Sequence, residues 1–342
     1  MMSEARLREL LDAFPRLRLL VVGDYFLDKY LVMDPSLAET SLETGLAANQ
    51  VVAKRCSPGA AGTVMSNLAA LGIGTLHAVG AIGDDGEGYD LKRGLRERGV
   101  HLDYLVESGE VFTPTYTKPM RCEGGTEREM ERLDIKNRKP LPAALEARVL
   151  DVLRRAVPEV EGVIVADQVQ ERNFGVVTDG VRAELTRLAA RYPEKVFFAD
   201  SRVRIGEFRG VVVKPNRMEA AEALGVAGAG DLSREELASL GRQLAKRTGQ
   251  PVILTLSHEG SLVCTAEGVQ HVPAFPVEGE IDPVGAGDST TAGAVAARCA
   301  GSTWEEAALV GNLVASVTVQ KLGTTGTASP GEVLERLRVV GW

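Results

Sequence analysis

The chain has 342 residues, of which 44% are hydrophobic and 25% charged, a composition typical of a globular enzyme with one large domain and an accessory piece, or with two domains. Its formal net charge of −8, without a basic stripe, argues against nucleic acid or an anionic membrane surface as the main partner. The apolar runs are too short to span a bilayer, and the four scattered cysteines are typical of free thiols in a reducing cytoplasm. We therefore expect a cytoplasmic protein.

Strand-like and helical patterns alternate along most of the chain. Residues 1–10 have an amphipathic helical pattern and lack the apolar core of a signal peptide. We predict strands at residues 17–23, 75–82, 162–167, 196–200, 211–214 and 252–256. Helical patterns lie between them, near residues 62–71, 86–99, 141–156, 178–191, 217–224 and 233–248. This alternation predicts an α/β fold with a doubly wound, mostly parallel sheet and helices on both faces.

Polar residues follow several of these strands. Ligands of such sheets bind beyond the carboxyl ends of the strands. The polar residues at those ends are Asp24, Asp167, Asp200 and Asn216. We therefore expect a binding site at this edge of the sheet.

Two segments, 34–57 and 110–135, break the alternation. They are rich in Thr, Glu and Arg and contain alternating patterns. They predict either a small β-sheet that lies over the site as a lid or long hairpins at one edge of the main sheet. If these two segments form a lid, the rest of the chain, residues 1–33, 58–109 and 136–342, would form a large α/β domain.

The most informative run is Asp282-Pro-Val-Gly-Ala-Gly-Asp288, which leads into a helix of very small residues. Gly285 and Gly287 let backbone N–H groups approach a phosphate, and the helix adds its positive dipole end. Asp288 beside that phosphate can take the proton of an attacking hydroxyl, which favours a phosphoryl transferase. The alternative is an ordinary loop followed by an acidic first helical turn.

A second Gly-Ala-Gly-Asp sequence, at residues 228–231, precedes an ordinary charged helix with Ser233 as its expected N-cap. No apolar strand leads into it, and we interpret it as a plain loop. No Gly-x-Gly-x-x-Gly follows the first strand, and no P-loop motif is present. These observations disfavour a Rossmann dehydrogenase and a P-loop kinase.

The 282–288 run resembles the C-terminal signature of the PfkB (ribokinase-like) carbohydrate kinases, and the resemblance covers nearly the whole chain. Residues 58–72 resemble the N-terminal glycine-rich signature of that family, and residues 79–88 resemble the turn that follows it. Details in residues 22–30, 132–134 and 320–326 are most similar to the heptose-7-phosphate kinase branch. The resemblance implies an ATP-dependent, Mg²⁺-requiring sugar or sugar-phosphate kinase that forms a homodimer through lid-to-lid contacts.

The resemblance also implies roles for individual residues. Asp288 corresponds to the catalytic base, and the backbone amides of Gly285, Ala286 and Gly287 correspond to the anion hole for the transferring phosphoryl group. The implied nucleotide contacts are Asn216, Glu219, Thr255, Ser257, Gly260 and Asn312. The implied acceptor contacts are Asp28, Gly59, Thr63, Lys118, Arg132 and Asp282.

Several of these residues have structural alternatives. Asn216 and Glu219, which would help to organise Mg²⁺, also have the spacing of a helix capping box. Asn312 could be an exposed helix residue and Asp28 a solvated loop residue. Lys118 and Arg132 could be ordinary surface charges.

The chain departs from the family pattern on the acceptor side. Ala60 stands at the second glycine of the N-terminal signature, Thr63 at an expected Asn, and Ser257 at a usual glycine. Residues 168–171 replace a Tyr and a Lys-Gly pair of the heptose branch, and Asp200-Ser-Arg202 replaces Asp-Pro-Lys. A ligand-sensing protein without turnover and a nucleoside kinase therefore remain alternatives. No His-x-Gly-His segment is present, and we expect a kinase that is not fused to a nucleotidyltransferase.

Overall fold

The structure is a computed structural model that describes residues 2–228, 230, 232–323 and 325–339. Its strands are β1 (Arg18–Gly23), β2 (Tyr25–Thr40), β3 (Ala47–Ala60), β4 (Thr75–Gly83), β5 (Val100–His101), β6 (Leu105–Ser108), β7 (Thr115–Glu123), β8 (Thr126–Glu129), β9 (Leu133–Ile135), β10 (Gly162–Asp167), β11 (Val196–Ser201), β12 (Val212–Val213), β13 (Val252–Thr255), β14 (Ser261–Cys264) and β15 (Val269–Val272). Its helices are α1 (Glu4–Ala13), α2 (Ala61–Ala70), α3 (Gly86–Arg96), α4 (Ala143–Ala156), α5 (Asp179–Arg191), α6 (Arg217–Ala223), α7 (Arg234–Thr248), α8 (Ala286–Cys299), α9 (Trp304–Thr318) and α10 (Pro330–Val339). None of the helices in these ranges is both long and apolar enough to cross a bilayer.

The main sheet has the strand order β15-β14-β13-β12-β11-β10-β1-β4-β5, and β6 also pairs with β4. All neighbouring strands are parallel except at one edge, where β14 is antiparallel to both β13 and β15. The six predicted strands correspond to β1, β4 and β10–β13, and the six predicted helices correspond to α2–α7. The predicted doubly wound, mostly parallel sheet is confirmed.

Two hydrophobic cores, one on each face of this sheet, explain the apolar strand sequences. Leu19 and Val21 of β1 pack into a core with α1–α3 and α8–α10, whereas Leu20 and Val22 pack into a second core with α4–α7. All four side chains are fully buried. Successive residues of a strand point to opposite faces, and a strand covered on both faces therefore has an uninterrupted apolar run.

A second sheet of β2, β3, β7, β8 and β9 contains most of segments 34–57 and 110–135. Its strand order is β3-β2-β7-β8, and β9 pairs with β7. The long hairpin β2–β3 starts beside β1, where Tyr25 and Leu27 are buried, and ends in exposed residues near Thr40. Shifts in the β2–β3 register occur between Val32 and Met33 and in the interval 34–39.

The second Gly-Ala-Gly-Asp sequence lies partly outside the described residues, since Ala229 and Asp231 are not among them, and Thr324 of the 320–326 run is also outside them. The helix after that sequence is α7. Ser233 is its N-cap, and its hydroxyl accepts a hydrogen bond from the Glu236 N–H. The predicted N-cap is confirmed.

Candidate active site

The turn before α8 has the backbone geometry that its glycines suggest. Gly285 is the N-cap residue and has a φ of 80°, in the left-handed region that glycine adopts without steric cost. The Asp282 carboxylate accepts a hydrogen bond from the Val284 N–H at 3.0 Å, which stabilises the turn. One carboxylate oxygen of Asp282, a predicted acceptor contact, is therefore already used to stabilise this turn.

The amides of this turn differ in their availability for an anion. The Ala286 N–H donates to the Pro283 carbonyl at 3.1 Å. Within the described part of the chain, no acceptor receives the Gly285 or Gly287 N–H. Two of the three predicted anion-hole amides are thus open, and the Ala286 amide has to weaken an internal bond before it can join them.

Small residues fix the position of α8 against α9. A Cβ atom on Gly293 would lie 3.1 Å from the Gly311 Cα, and one on Gly311 would lie 2.7 Å from the Thr290 carbonyl oxygen. Larger side chains at these glycines would separate the two helices. The expected close packing of the small-residue helix therefore holds the N-terminus of α8, and Asp288 in its first turn, in one place.

Asp288 is partly buried at this helix N-terminus. Burial raises the pKa of its carboxyl group to about 7, and the negative charge of Asp200 adds to the effect. The charges of Lys214 and Arg202 oppose this shift of the pKa. A carboxylate with a pKa close to neutral can accept a proton from a hydroxyl more effectively than an ordinary surface Asp.

Lys214, which the sequence analysis did not assign to the site, lies directly beneath the turn. It follows β12, is 4% exposed, and its Nζ lies 3.0 Å from Asp200 Oδ2. A Cβ atom on Gly287 would lie 3.5 Å from that Nζ. Burial alone would lower the pKa of Lys214, but the nearby carboxylates, Asp200 first, raise it above its usual value. The ammonium group is therefore a fixed positive charge at the predicted anion hole.

Asn216 and Glu219 form the capping box of α6. The Asn216 Oδ1 accepts from the Glu219 N–H at 2.9 Å, and the Glu219 Oε2 accepts from the Asn216 N–H at 2.8 Å. The structural alternative is thus present, and it fixes both side chains at the carboxyl edge of the sheet. Burial, followed by the charge of Asp200, raises the pKa of Glu219.

These two residues fit a weakly coordinated Mg²⁺ ion. Among the described residues, no group of three or more His, Cys, Asp or Glu side chains is placed to hold a metal ion. Mg²⁺ that takes its ligands mainly from water and phosphates needs only one or two protein oxygen atoms. The Glu219 Oε1 makes no hydrogen bond to any residue in the described ranges and is free for such a role.

Thr255 is the last residue of β13, and Ser257 and Gly260 lie in the turn that follows. Thr255 bridges to Asn216, which places the turn beside the capping box. Ser257 has a φ of 58°, in the left-handed region, and Gly260 has a φ of 93°. The related kinases usually have glycine at the position of Ser257, and its positive φ gives the physical reason for that preference.

Asn312 is buried in α9 and is not the exposed helix residue that the alternative supposed. Its Nδ2 donates to the Ser261 Oγ at 3.2 Å, to the Val272 carbonyl at 3.3 Å and to the Pro273 carbonyl at 3.1 Å. Asn312 therefore connects α9 to β14 and to the end of β15. It can shape a nucleotide site through these strands.

The predicted acceptor contacts Asp28, Gly59 and Lys118 lie together in the second sheet. A Cβ atom on Gly59 would lie 2.6 Å from Asp28 Oδ2, so only glycine allows the carboxylate to occupy this position. Lys118 Nζ lies 3.7 Å from Asp28 Oδ1. Burial raises the pKa of Asp28, although Lys118 opposes the shift. After burial and the charge of Asp200, the charge of Asp28 makes a smaller contribution to the raised pKa of Asp288.

A cavity of about 220 Å³ lies between the second sheet and the loop 168–176. Arg132, Lys136 and Arg202 line it. Asp24 fixes the loop because its carboxylate accepts three backbone N–H groups at 2.7–3.0 Å, those of Gln168, Val169 and Val176. Thr63, a predicted acceptor contact, does not line this cavity. It lies beside the Gly285 turn and lines a second cavity of about 510 Å³.

Ala60 has a φ of 54° and a ψ of −117°, a conformation that strongly favours glycine. We expect Ala60→Gly to stabilise the fold by about 1 kcal/mol, since relief of backbone strain exceeds the added entropy of the unfolded chain. The free energy of unfolding from urea denaturation measures the effect. Ala69→Gly, inside α2 at a helical position, is the matched control and should destabilise by up to about 1 kcal/mol. Equal losses in both variants would contradict the assignment of strain to Ala60.

Comparison with solved structures identifies the fold. The chain is similar to Arabidopsis thaliana ribokinase complexed with ribose and ATP, with 18% identity and a TM-score of 0.68, over 94% of this chain and 99% of that chain. It is also similar to Escherichia coli phosphofructokinase-2 in complex with fructose-6-phosphate, with 17% identity and a TM-score of 0.69, over 95% of this chain and 100% of that chain. The fold is therefore that of the ribokinase-like proteins.

Residues 30–330 match the model of the pfkB family carbohydrate kinases, and the chain belongs to this family. It is 31% identical over 332 residues to the bifunctional protein HldE of Citrifermentans bemidjiense, and the aligned region covers 96% of this chain and 65% of that relative. HldE of Nitratiruptor sp. is 30% identical over 322 residues, with 93% and 65% coverage. The chain thus spans less than two thirds of the length of these relatives. The expected family and the expected enzyme class, a carbohydrate kinase, are confirmed.

Proposed function

We propose that this protein is an ATP-dependent kinase that transfers the γ-phosphoryl group to a hydroxyl group of a sugar or sugar phosphate. The observation that carries the proposal is the position of Asp288. Its carboxyl group, with a pKa of about 7, lies in the first turn of α8, next to the open amides of the glycine turn and the Lys214 ammonium group. A base and a phosphate-binding cradle are thus adjacent.

The proposed reaction is an in-line displacement at the γ-phosphorus. The acceptor hydroxyl gives its proton to Asp288, its oxygen forms a bond to the γ-phosphorus, and the bond to the leaving oxygen of ADP breaks. The Gly285 and Gly287 amides, the helix dipole and Lys214 stabilise the negative charge on the transferring group. Asp28 accepts hydrogen bonds from other hydroxyl groups of the sugar and orients the reacting one.

Glu219 and Asn216 are the residues that would hold Mg²⁺, through water or directly. When bound, the ion would neutralise part of the negative charge of the ATP phosphates. Thr255, Ser257 and Gly260 are proposed to form one wall of the nucleotide site, with Asn312 behind it. The observation that supports this arrangement is the bridge between Thr255 and Asn216 of the capping box.

The acceptor that we favour is a heptose 7-phosphate or a closely similar sugar phosphate. The supporting features are residues 22–30, 132–134 and 320–326, which resemble the heptose-7-phosphate kinase branch, and the similarity to proteins named HldE. The replaced residues 168–171 line the cavity beside Asp24 and would alter the contacts made to this acceptor.

The experiment that tests the proposal is a coupled assay of ADP release with a panel of sugars, sugar phosphates and nucleosides. Acceptor-dependent ADP release, with the product identified by mass spectrometry, would establish the kinase and its acceptor class. ATP binding without ADP release for every acceptor would instead support a ligand-sensing protein. Turnover of a nucleoside alone would support a nucleoside kinase.

The pH dependence should report the state of Asp288. Because the base must be deprotonated, kcat/KM should fall about tenfold per pH unit below pH 7 and level off above it. Asp200→Asn should move the inflection to lower pH, since the charge of Asp200 raises the pKa of Asp288. Thermal melting at each pH controls for unfolding. A flat profile between about pH 5.5 and about pH 8 would argue against Asp288 as the base.

The second sheet is proposed as a lid and as the surface through which a homodimer forms. Its outer part presents exposed apolar side chains, those of Leu37, Val51, Val52 and Leu133. We expect sedimentation equilibrium to give a dimer that Val52→Glu dissociates, whereas Val226→Glu, in the loop after α6, has no effect. A monomer whose mass does not depend on concentration would contradict the dimer.

A further inference from the structure

The cavity of about 510 Å³ that Thr63 lines has no assigned role in the proposed reaction. Its walls are the end of β3, one face of α2, the two residues that follow α3 and the segment between α9 and α10. Asp28, Lys214 and Asp288 are not among the residues that line it. A cavity of this size can enclose a small metabolite.

Arg98 brings a positive charge without a partner to this cavity. It lies two residues after the end of α3 and is half-buried. Its Nη1 donates to the Gly94 carbonyl at 2.7 Å, but its guanidinium group forms no ion pair in the described part of the chain. Burial lowers the pKa of Arg98, which the charge of the exposed Glu97 opposes. An anion in the cavity would compensate for the partial loss of solvent around this charge.

Four hydroxyl groups at the cavity also lack a partner among the described residues. They belong to Ser57, Thr63, Thr325 and Thr327. Thr63 is only 5% exposed, and a buried hydroxyl group without a hydrogen bond costs free energy. The other cation at the cavity, Lys321, is already held by Glu332 at 2.6 Å. The free polar groups are thus one guanidinium and four hydroxyls, which suit an oxyanion that carries hydroxyl groups of its own.

The cavity shares walls with two parts of the proposed active site. A Cβ atom on Gly285 would lie 2.6 Å from Thr325 Cγ2 and 3.6 Å from Thr63 Cγ2, so both side chains pack against the glycine turn. Ser57 is the direct partner of Asp28 in the β2–β3 pairing. A ligand bound to these side chains would therefore act on the glycine turn and on the strand that carries Asp28.

We propose that this cavity binds a small hydroxylated anion, a carboxylate or a phosphate ester, through Arg98 and the four hydroxyl groups, and that its binding changes turnover at the active site. Carboxylates and phosphates share the chemistry that the planar guanidinium recognises, a pair of oxygen atoms that accept parallel hydrogen bonds. The ligand is an effector and not the acceptor, because its cavity excludes Asp28 and Asp288. The binding site does not depend on the proposed kinase function, whereas its effect on turnover rests on that function.

Calorimetric titration with three matched probes tests the site. D-glycerate presents a carboxylate, sn-glycerol 3-phosphate presents a phosphate, and glycerol presents neither. We expect wild-type protein to bind at least one of the two anions but not glycerol, and the anion that binds more tightly identifies the favoured group. Arg98→Gln should raise the Kd by about 10- to 100-fold, as expected for loss of a charged hydrogen bond. Arg98→Lys, which keeps the charge, should weaken binding less.

Arg96→Gln is the matched control, since Arg96 ends α3, is exposed and does not line the cavity. Its Kd should equal that of the wild type, and melting temperatures show that the variants are folded. Lys118→Gln tests the acceptor region in the same way and should also leave the Kd unchanged, because Lys118 lies beside Asp28 and outside the cavity.

Steady-state kinetics tests the effect on turnover. The bound anion should change kcat or the KM for the acceptor by about fivefold or more in the wild type and have no such effect in Arg98→Gln. Without the anion, the two proteins should have equal rates. If no acceptor is turned over, the kinase proposal fails alone and the titrations still decide the site.

Three outcomes of the titrations would overturn the site: no binding of either anion, equal binding by Arg98→Gln and the wild type, and equal weakening by Arg96→Gln. Weaker binding by Lys118→Gln would also overturn it and would place the anion beside Asp28. Binding that leaves both kinetic constants of the wild type unchanged would overturn the effect on turnover.

Discussion

Replacement of Asp288 by Asn should lower kcat by about 10²- to 10⁴-fold, the usual contribution of a general base. The amide keeps the size of the side chain and its place in the first turn of α8 but cannot accept the proton of the acceptor hydroxyl. Steady-state kinetics with the acceptor found in the panel measures the loss. KM for the acceptor should change little, because the lost interaction forms as the proton transfers.

The variant should remain folded and bind ATP as the wild type does. Burial raises the pKa of Asp288, so the charged form is costly in the folded state, and a neutral Asn should keep or raise the melting temperature. The chain provides a matched control in its second Gly-Ala-Gly-Asp sequence. Asp231→Asn should leave kcat unchanged. Full activity of Asp288→Asn would remove Asp288 from the proposed role.

Replacement of Lys214 by Met should reduce both stability and turnover. The change leaves the Asp200 carboxylate buried without its partner at 3.0 Å, which costs about 3–5 kcal/mol by comparison with other broken buried pairs. It also removes the positive charge beneath Gly287, and we expect kcat to fall by about 10²- to 10³-fold, as for loss of one donor to a developing anion. Urea denaturation and steady-state kinetics measure the two effects.

The double variant Asp200→Asn, Lys214→Met separates these two roles. Removal of both charges should restore much of the lost stability because no buried charge is left alone. The kcat should stay low, since the ammonium group is still missing from the turn. If the double variant regained kcat together with its stability, Lys214 would have only a structural role.

The main sheet could be predicted from the sequence because its central strands have covered faces and therefore long apolar runs. Strands β14 and β15 were missed because they follow β13 as antiparallel neighbours, without the intervening α-helices on which the predicted alternation rests. Helix α10 was also missed. The glycine turn was predictable because its signal is local, in the spacing of Gly285, Gly287 and Asp288.

The parts of the site that the sequence analysis missed depend on contacts between distant segments. Lys214 becomes a site residue because β11 and β12 are neighbours and bring Asp200 to it. The guanidinium group of Arg202 has no ion pair within the described ranges, and no local sequence pattern reveals this absence. The burial of Asn312 likewise depends on β14 and β15. Ala60 and Ser257 are the opposite case, because comparison with the family pattern singled out both positions from the sequence. Their positive φ angles explain why the family usually has glycine there.

The hairpin β2–β3 has a mechanical consequence. Strand β2 runs for 16 residues from buried Tyr25 to exposed Thr40, and Asp28 lies near its buried root, ahead of both register shifts. Because Asp28 belongs to this root, any change in the angle between the second sheet and β1 would also move the Asp28 carboxylate. If two chains associate through this sheet, the hairpin of each chain restrains the movement of the other. Acceptor saturation curves of the dimer would then be sigmoidal, and those of a dissociated variant hyperbolic.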